Sequence, residues 1–166
     1  MTDTARTTTE ALVGWLSLLA GVGAGLTAGV FLAFSAFVMT GLGRAPVAVG
    51  VRAMQEINRA APTPVFMITL FGPAVLALGI AVAAIAAHTA GRSLVVVGAL
   101  AYLVAVVVTV TFHVPRNEAL ALVDPSGPAA AEVWRRYLID WTRLNHVRTV
   151  SAVVGCVLLL LSRGAT

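Results

Sequence analysis

The stretch WTRLNHVRTVSAVVGCVLLLLSRGAT, residues 141–166, decides how many times this chain crosses a bilayer. Its charge-free part, residues 149–162, falls short of the roughly 20 residues an α-helix needs to cross the hydrocarbon core. The helix can cross only if it starts near Leu144 and carries Asn145, His146 and Arg148 with it. Arg148 then stands at or just below headgroup depth, where a guanidinium must snorkel to the surface or find polar partners. A snorkelling anchor is the plain reading of that arginine. A polar site is the other.

Outward from this stretch, the whole chain reads as a membrane protein. Of 166 residues 59% are apolar and 11% charged, with a mean hydropathy of +0.95, whereas soluble domains carry about a quarter charged residues. Residues 11–43, 60–91 and 93–115 hold no formal charge, and each run is long enough to span. The expected fold is all-α: one membrane domain, residues 1–166, with four transmembrane helices near 11–41, 62–88, 93–114 and 144–162. A short amphipathic helix should join spans 1 and 2, and a helical extension should precede span 4. The first run is too long for a signal-peptide core and lacks a clear cleavage site, so it reads as a retained span.

Several function classes lose ground on composition alone. Cys156 is the single cysteine, so neither a disulfide framework nor a CxxC redox pair exists. No span carries Asp, Glu, Lys or Arg in its middle third, where proton-coupled transporters keep their coupling group. No glycine-rich phosphate loop and no nucleophile elbow is present, and nothing points to nucleic acid. The three histidines lie far apart with no HxxxH or ExxH pairing, so no metal is expected; a metal shared by His113 and His146 is the alternative.

Arginine placement suggests orientation. Arg44, Arg52, Arg59, Arg116, Arg135, Arg136, Arg143 and Arg148 belong to the end with the long connections, against Arg6, Arg92 and Arg163 at the other. The positive-inside rule then puts residues 42–61 and 115–143 in the cytoplasm of a bacterial inner-membrane protein and the termini outside. Within span 1, Gly21, Gly25 and Gly29 form a small-residue stripe that serves either internal packing or a homo-oligomer contact. Pro73 and Pro115 should each kink or end a helix, since proline gives no N–H to the ladder.

Three polar clusters remain. In residues 47–60, helical periodicity puts Val47, Val51, Met54, Ile57 and Asn58 on one face, with Arg52, Glu56 and Arg59 on another and Gln55 at the border. Asn58 then rides on the apolar side, where an unpaired amide costs roughly 1–3 kcal/mol. His113 and Asn117 flank Pro115 at the membrane border. Trp134, Tyr137, Trp141, Asn145 and Arg148 fall at spacings of three and four and form one helical stripe. Rings of a flat aromatic ligand can stack on such a stripe while Asn145 and Arg148 donate to an oxygen. His146 points away from it.

At these residues the chain resembles the anthrone oxygenase-like family of small four-span membrane proteins, a group that includes the fungal anthrone oxygenases. The matching segments are GVFLAFSAFVM (29–39), MQEIN (54–58), PVFMITLFG (64–72), VPRNEAL (114–120) and YLIDWTRLNHVRT (137–149). The family pattern has asparagine where His113 stands and a smaller residue than Glu56, departures that bear on substrate rather than fold. The resemblance implies oxidation of a planar anthrone-like or phenolic molecule to a quinone, with O2 as co-substrate and no organic cofactor. It implies further that Arg148, Asn145 and Asn117 hold an oxyanion and that His146 or His113 is the base. Trp141 and Trp134, with Tyr137, would form the stacking wall, and Gln55 and Asn58 would close the site. Two other readings stand beside it: a non-enzymatic membrane protein that binds a hydrophobic ligand or lipid or joins a larger complex, and a metal-dependent oxidase.

Overall fold

The computed structural model describes the backbone of residues 3–165 and the side chains of residues 8–165. Among the described residues the chain is all-helical, with four helices long and apolar enough to cross a membrane: Thr8–Arg44, Pro64–Ala86, Arg92–Ala121 and Ala130–Ala165. In detail the elements are α1 (Asp3–Ala33), a π-turn (Phe34–Val38), α2 (Met39–Arg44), α3 (Val47–Ala60), α4 (Pro64–Ala86), α5 (Arg92–Val108), a second π-turn (Thr109–His113), α6 (Val114–Ala121) and α7 (Ala130–Ser162).

The amphipathic helix forms over the expected residues. It turns Gly50, Val51 and Met54 inward, while Val47, at its first turn, is exposed. The helical extension before span 4 is present as the first part of α7, which runs unbroken from the loop into the membrane. Span 3 departs from expectation. The helix does not stop at residue 114 but continues through Pro115 to Ala121. The missing N–H of Pro115 is accommodated by the π-turn just before it, where the Val114 N–H reaches back five residues to the Thr109 carbonyl. Span 1 bends its ladder in the same way, with the Met39 N–H on the Phe34 carbonyl.

In lipid, close packing and internal hydrogen bonds hold helices together, because tails outside are as apolar as the side chains between helices. Glycines set the distances. A Cβ on Gly23 would stand 2.6 Å from Pro73 Cγ, and one on Gly155 would stand 2.9 Å from Tyr102 Cβ and 3.0 Å from the Gly98 carbonyl. Of the expected stripe, Gly21 and Gly25 face Leu160 and Cys156 on α7, whereas Gly29 meets nothing within 4 Å. Pro73 leaves the Thr69 carbonyl without its usual partner one turn back. Thr27 on α1 supplies one, donating to Thr69 O at 2.7 Å, and the buried Tyr102 hydroxyl donates to the neighbouring Leu70 carbonyl at 2.8 Å.

At one end of the bundle α4 and α5 are joined by a tight turn with His88 and Gly91 at positive φ. At the other, α2, α3, α6 and the start of α7 build a cap around Met39, Val51, Met54, Leu120, Trp134, Tyr137 and Trp141. The polar clusters gather at this capped end.

Candidate functional site

Under the cap, between α1, α3, α4, the second π-turn, α6 and α7, lies a cavity of about 470 Å³, a size suited to an organic molecule of drug-like dimensions. Phe31, Phe34, Met54, Ile57, Phe66 and Leu70 form much of its wall. Polar groups enter from Gln55, Asn58 and Arg59 on α3, Thr109 and His113 in the π-turn, Asn117 and Glu118 on α6, and Trp141 and Arg148 on α7.

Arg148 is the deepest cation, only 6% exposed. Its guanidinium lies over the Phe31 ring at 4.1 Å and the Trp141 ring at 4.8 Å. Nε donates to Asn145 Oδ1 at 2.7 Å and Nη1 to Thr109 Oγ1 at 3.4 Å. Among the described residues no carboxylate pairs with it, which is unusual, since buried charges are normally paired. Asn145 does not line the cavity. It stands behind Arg148, its Nδ2 donating to the Phe31 carbonyl at 2.8 Å and to Ser35 Oγ at 2.7 Å. The π-turn at Phe34–Val38 carries Ser35 to that contact. With both ends of its amide engaged, Asn145 orients the guanidinium and has no donor left for a ligand.

Asn117 is placed differently. Its Oδ1 accepts from the Tyr137 hydroxyl at 2.8 Å and from Trp141 Nε1 at 3.0 Å. Two donors fix which end of the amide is oxygen; the residue lines the cavity, and its Nδ2 group keeps its hydrogens unused among the described residues. Tyr137 in turn accepts from Asn58 Nδ2 at 3.4 Å, so the amide on the apolar side of α3 has its partner. Gln55 Nε2 donates to the carbonyls of Leu120 and Val123, both at 2.9 Å, and clamps α3 to the end of α6.

The stripe of rings is present: Trp134 stacks on Tyr137 at 5.6 Å and Tyr137 on Trp141 at 6.3 Å. Only Trp141 reaches the cavity. Trp134 is packed against Gly50 in the cap, its Nε1 buried without a partner. The two histidines also separate. His113 lines the cavity, but its Nδ1 faces the Val108 carbonyl at 3.3 Å and its Nε2 the Trp141 carbonyl at 3.2 Å. A neutral ring donates to one of these carbonyls, and its second nitrogen also points at backbone. His146 is exposed on the outer face of α7, with Nδ1 on Ser35 Oγ at 2.9 Å. Among the described residues no three His, Cys, Asp or Glu side chains gather to hold a metal ion.

Sequence reasoning passed over Thr109, Arg59 and Glu118, all on the cavity wall. For Thr109 and Glu118 the signal was the helical continuation past Pro115, which brings one face of residues 109–118 onto the site. The cavity also has a bilayer side. Val30, Phe71, Val110 and Val114 line it and are also between 38% and 48% exposed on the surface of the spans. There α4, closely packed on α5 further down, makes little contact with the second π-turn and α6.

Set against known proteins, residues 65–158 match the family model described as anthrone oxygenase. No curated protein and no solved structure matches the chain. The matched segment runs from the start of α4 almost to the end of α7 and takes in Thr109, His113, Asn117, Trp141 and Arg148.

Proposed function

The chain belongs to the anthrone oxygenase family, and from that premise we propose that it oxidises a planar, anthrone-like aromatic dissolved in the membrane to the corresponding quinone, with O2 as the oxidant. The observation that carries this reading is Arg148: a buried guanidinium with no carboxylate partner among the described residues, held against two aromatic rings on the wall of a largely apolar cavity.

The chemistry needs little more. The methylene of an anthrone is acidic because its conjugate base is an aromatic enolate, whose charge sits mainly on the oxygen across the central ring. Donors held in a water-poor site stabilise such an oxyanion far better than water does. Arg148 is the donor for that oxygen, and Trp141 with Phe31 and Phe34 supplies the faces for the rings. The enolate carbon reacts with O2 to a hydroperoxide. Loss of the second methylene hydrogen and cleavage of the O–O bond then give the ketone. Both methylene hydrogens leave in one molecule of water with one oxygen atom of O2, and the other oxygen atom becomes the new carbonyl.

The bilayer-facing part of the cavity wall gives a membrane-dissolved substrate a way in. The excess of arginines at the capped end supports a cytoplasmic position for that end; labelling of a cysteine at residue 126 from outside the cell would contradict this. The test of the function is oxygen consumption by the purified protein given anthrone, followed by catalase. An oxygenase returns no O2 when catalase is added. An oxidase that releases peroxide returns half, and a binding protein consumes none above the spontaneous background.

A further inference from the structure

We propose that Glu118 is the base that removes the substrate's methylene proton. The inference rests on the oxygenase reading, and its starting point is an elimination on the cavity wall. Arg59 and Arg148 are cations, and His113 has both nitrogens turned to backbone carbonyls. His146 lies outside the cavity lining. Glu118 is the single carboxylate among the lining residues, and it makes no hydrogen bond or ion pair among the described residues. Glu56, one turn ahead of Arg59 on α3, is instead held by that arginine at 2.6 Å.

Position supports the assignment. In an anthrone the acidic carbon and the carbonyl oxygen lie at opposite edges of the central ring, so a base and an oxyanion holder must approach the ligand from opposite ends. Arg148 is buried on α7, whereas Glu118 is exposed on α6 at the mouth of the same cavity. An exposed carboxylate can also exchange the captured proton with water when O2 is withheld. The residue is carried there because the helix continues past Pro115.

The step is a proton transfer. A carboxylate oxygen of Glu118 takes one methylene hydrogen as H+, the C–H pair moves into the ring, and the carbonyl oxygen gains the charge beside Arg148. After O2 has added to the carbon and taken up two electrons, the proton held by Glu118 passes to the outer peroxide oxygen.

The experiment separates this step from the rest of the reaction. Anthrone carrying deuterium at its methylene is incubated without O2 with the protein in liposomes, and loss of deuterium to water is followed. Wild type should exchange well above the protein-free rate. Glu118→Gln should lose about 100-fold of that excess, the usual scale for a general base, while quenching of tryptophan fluorescence by anthrone stays within about twofold, as for a residue that does not carry binding. Glu118→Ala should recover part of the exchange on addition of acetate, which a merely structural role would not allow. Exchange by Glu118→Gln at the wild-type rate overturns the assignment while leaving the oxygenase reading intact. A wild type that neither exchanges nor consumes O2 overturns both.

Discussion

At the scale of single residues, the site turns on how a charge is held without being neutralised. Asn145 accepts from Arg148 Nε with an amide oxygen where a carboxylate would be the ordinary partner. Replacing it by aspartate should therefore act against intuition. Asn145→Asp builds a buried ion pair with Arg148 and loses two amide donations, to Phe31 O and Ser35. The expected outcome is a protein that still folds, as judged by its melting temperature in detergent, but whose oxygen uptake with anthrone falls at least about tenfold, because the guanidinium now faces its own counter-ion. Much at this scale was legible in sequence. The spacings of Trp134, Tyr137, Trp141, Asn145 and Arg148 put them on one helical face, and all five are buried together. Their separate jobs were not legible, because periodicity gives a direction around a helix and not what stands opposite. Only the partners show that Asn145 positions, that Trp134 belongs to the cap, and that Trp141 and Arg148 reach the cavity.

At the scale of elements, the four spanning helices and the amphipathic connection follow from charge-free length and periodicity, whereas the run of span 3 on to Ala121 and the start of the last helix at Ala130 lie outside those patterns. The two π-turns do not follow from such patterns. They arise where a helix must gain a residue per turn, at Pro115 in one case and beside Ser35 in the other. Glycines show the same limit. The fourfold spacing of Gly21, Gly25 and Gly29 marked a packing stripe, but the tightest approach to α5 is made by Gly155, which belongs to no such repeat. A methyl group at Gly155 would press on Tyr102 Cβ and on backbone atoms that cannot rotate away. Gly155→Ala should therefore cost about 1–3 kcal/mol of stability as overpacking, read as an earlier thermal transition in detergent. Gly29→Ala, with open space around it, should be neutral or stabilise by up to about 1 kcal/mol through helix propensity.

At the scale of the whole molecule, four spans are held tightly over most of their length and are loosened at one end to leave a chamber. Tyr102, Thr27 and the carbonyls around Pro73 close the bundle below it. Gln55 fastens the cap above it, and bilayer-facing side chains form part of its wall. On the proposed function, this chamber, through Arg148, makes an aromatic carbon acid react with O2. The most direct measurement is the rate at which the heavy oxygen isotope passes from labelled O2 into the quinone carbonyl, in liposomes holding wild type, Arg148→Gln at equal folded amount, or no protein. The account predicts one labelled atom per quinone at a rate proportional to wild-type protein, and about 100-fold less of that protein-dependent rate in the variant, the usual effect of losing one oxyanion donor. Label entering at the same rate in all three would contradict it.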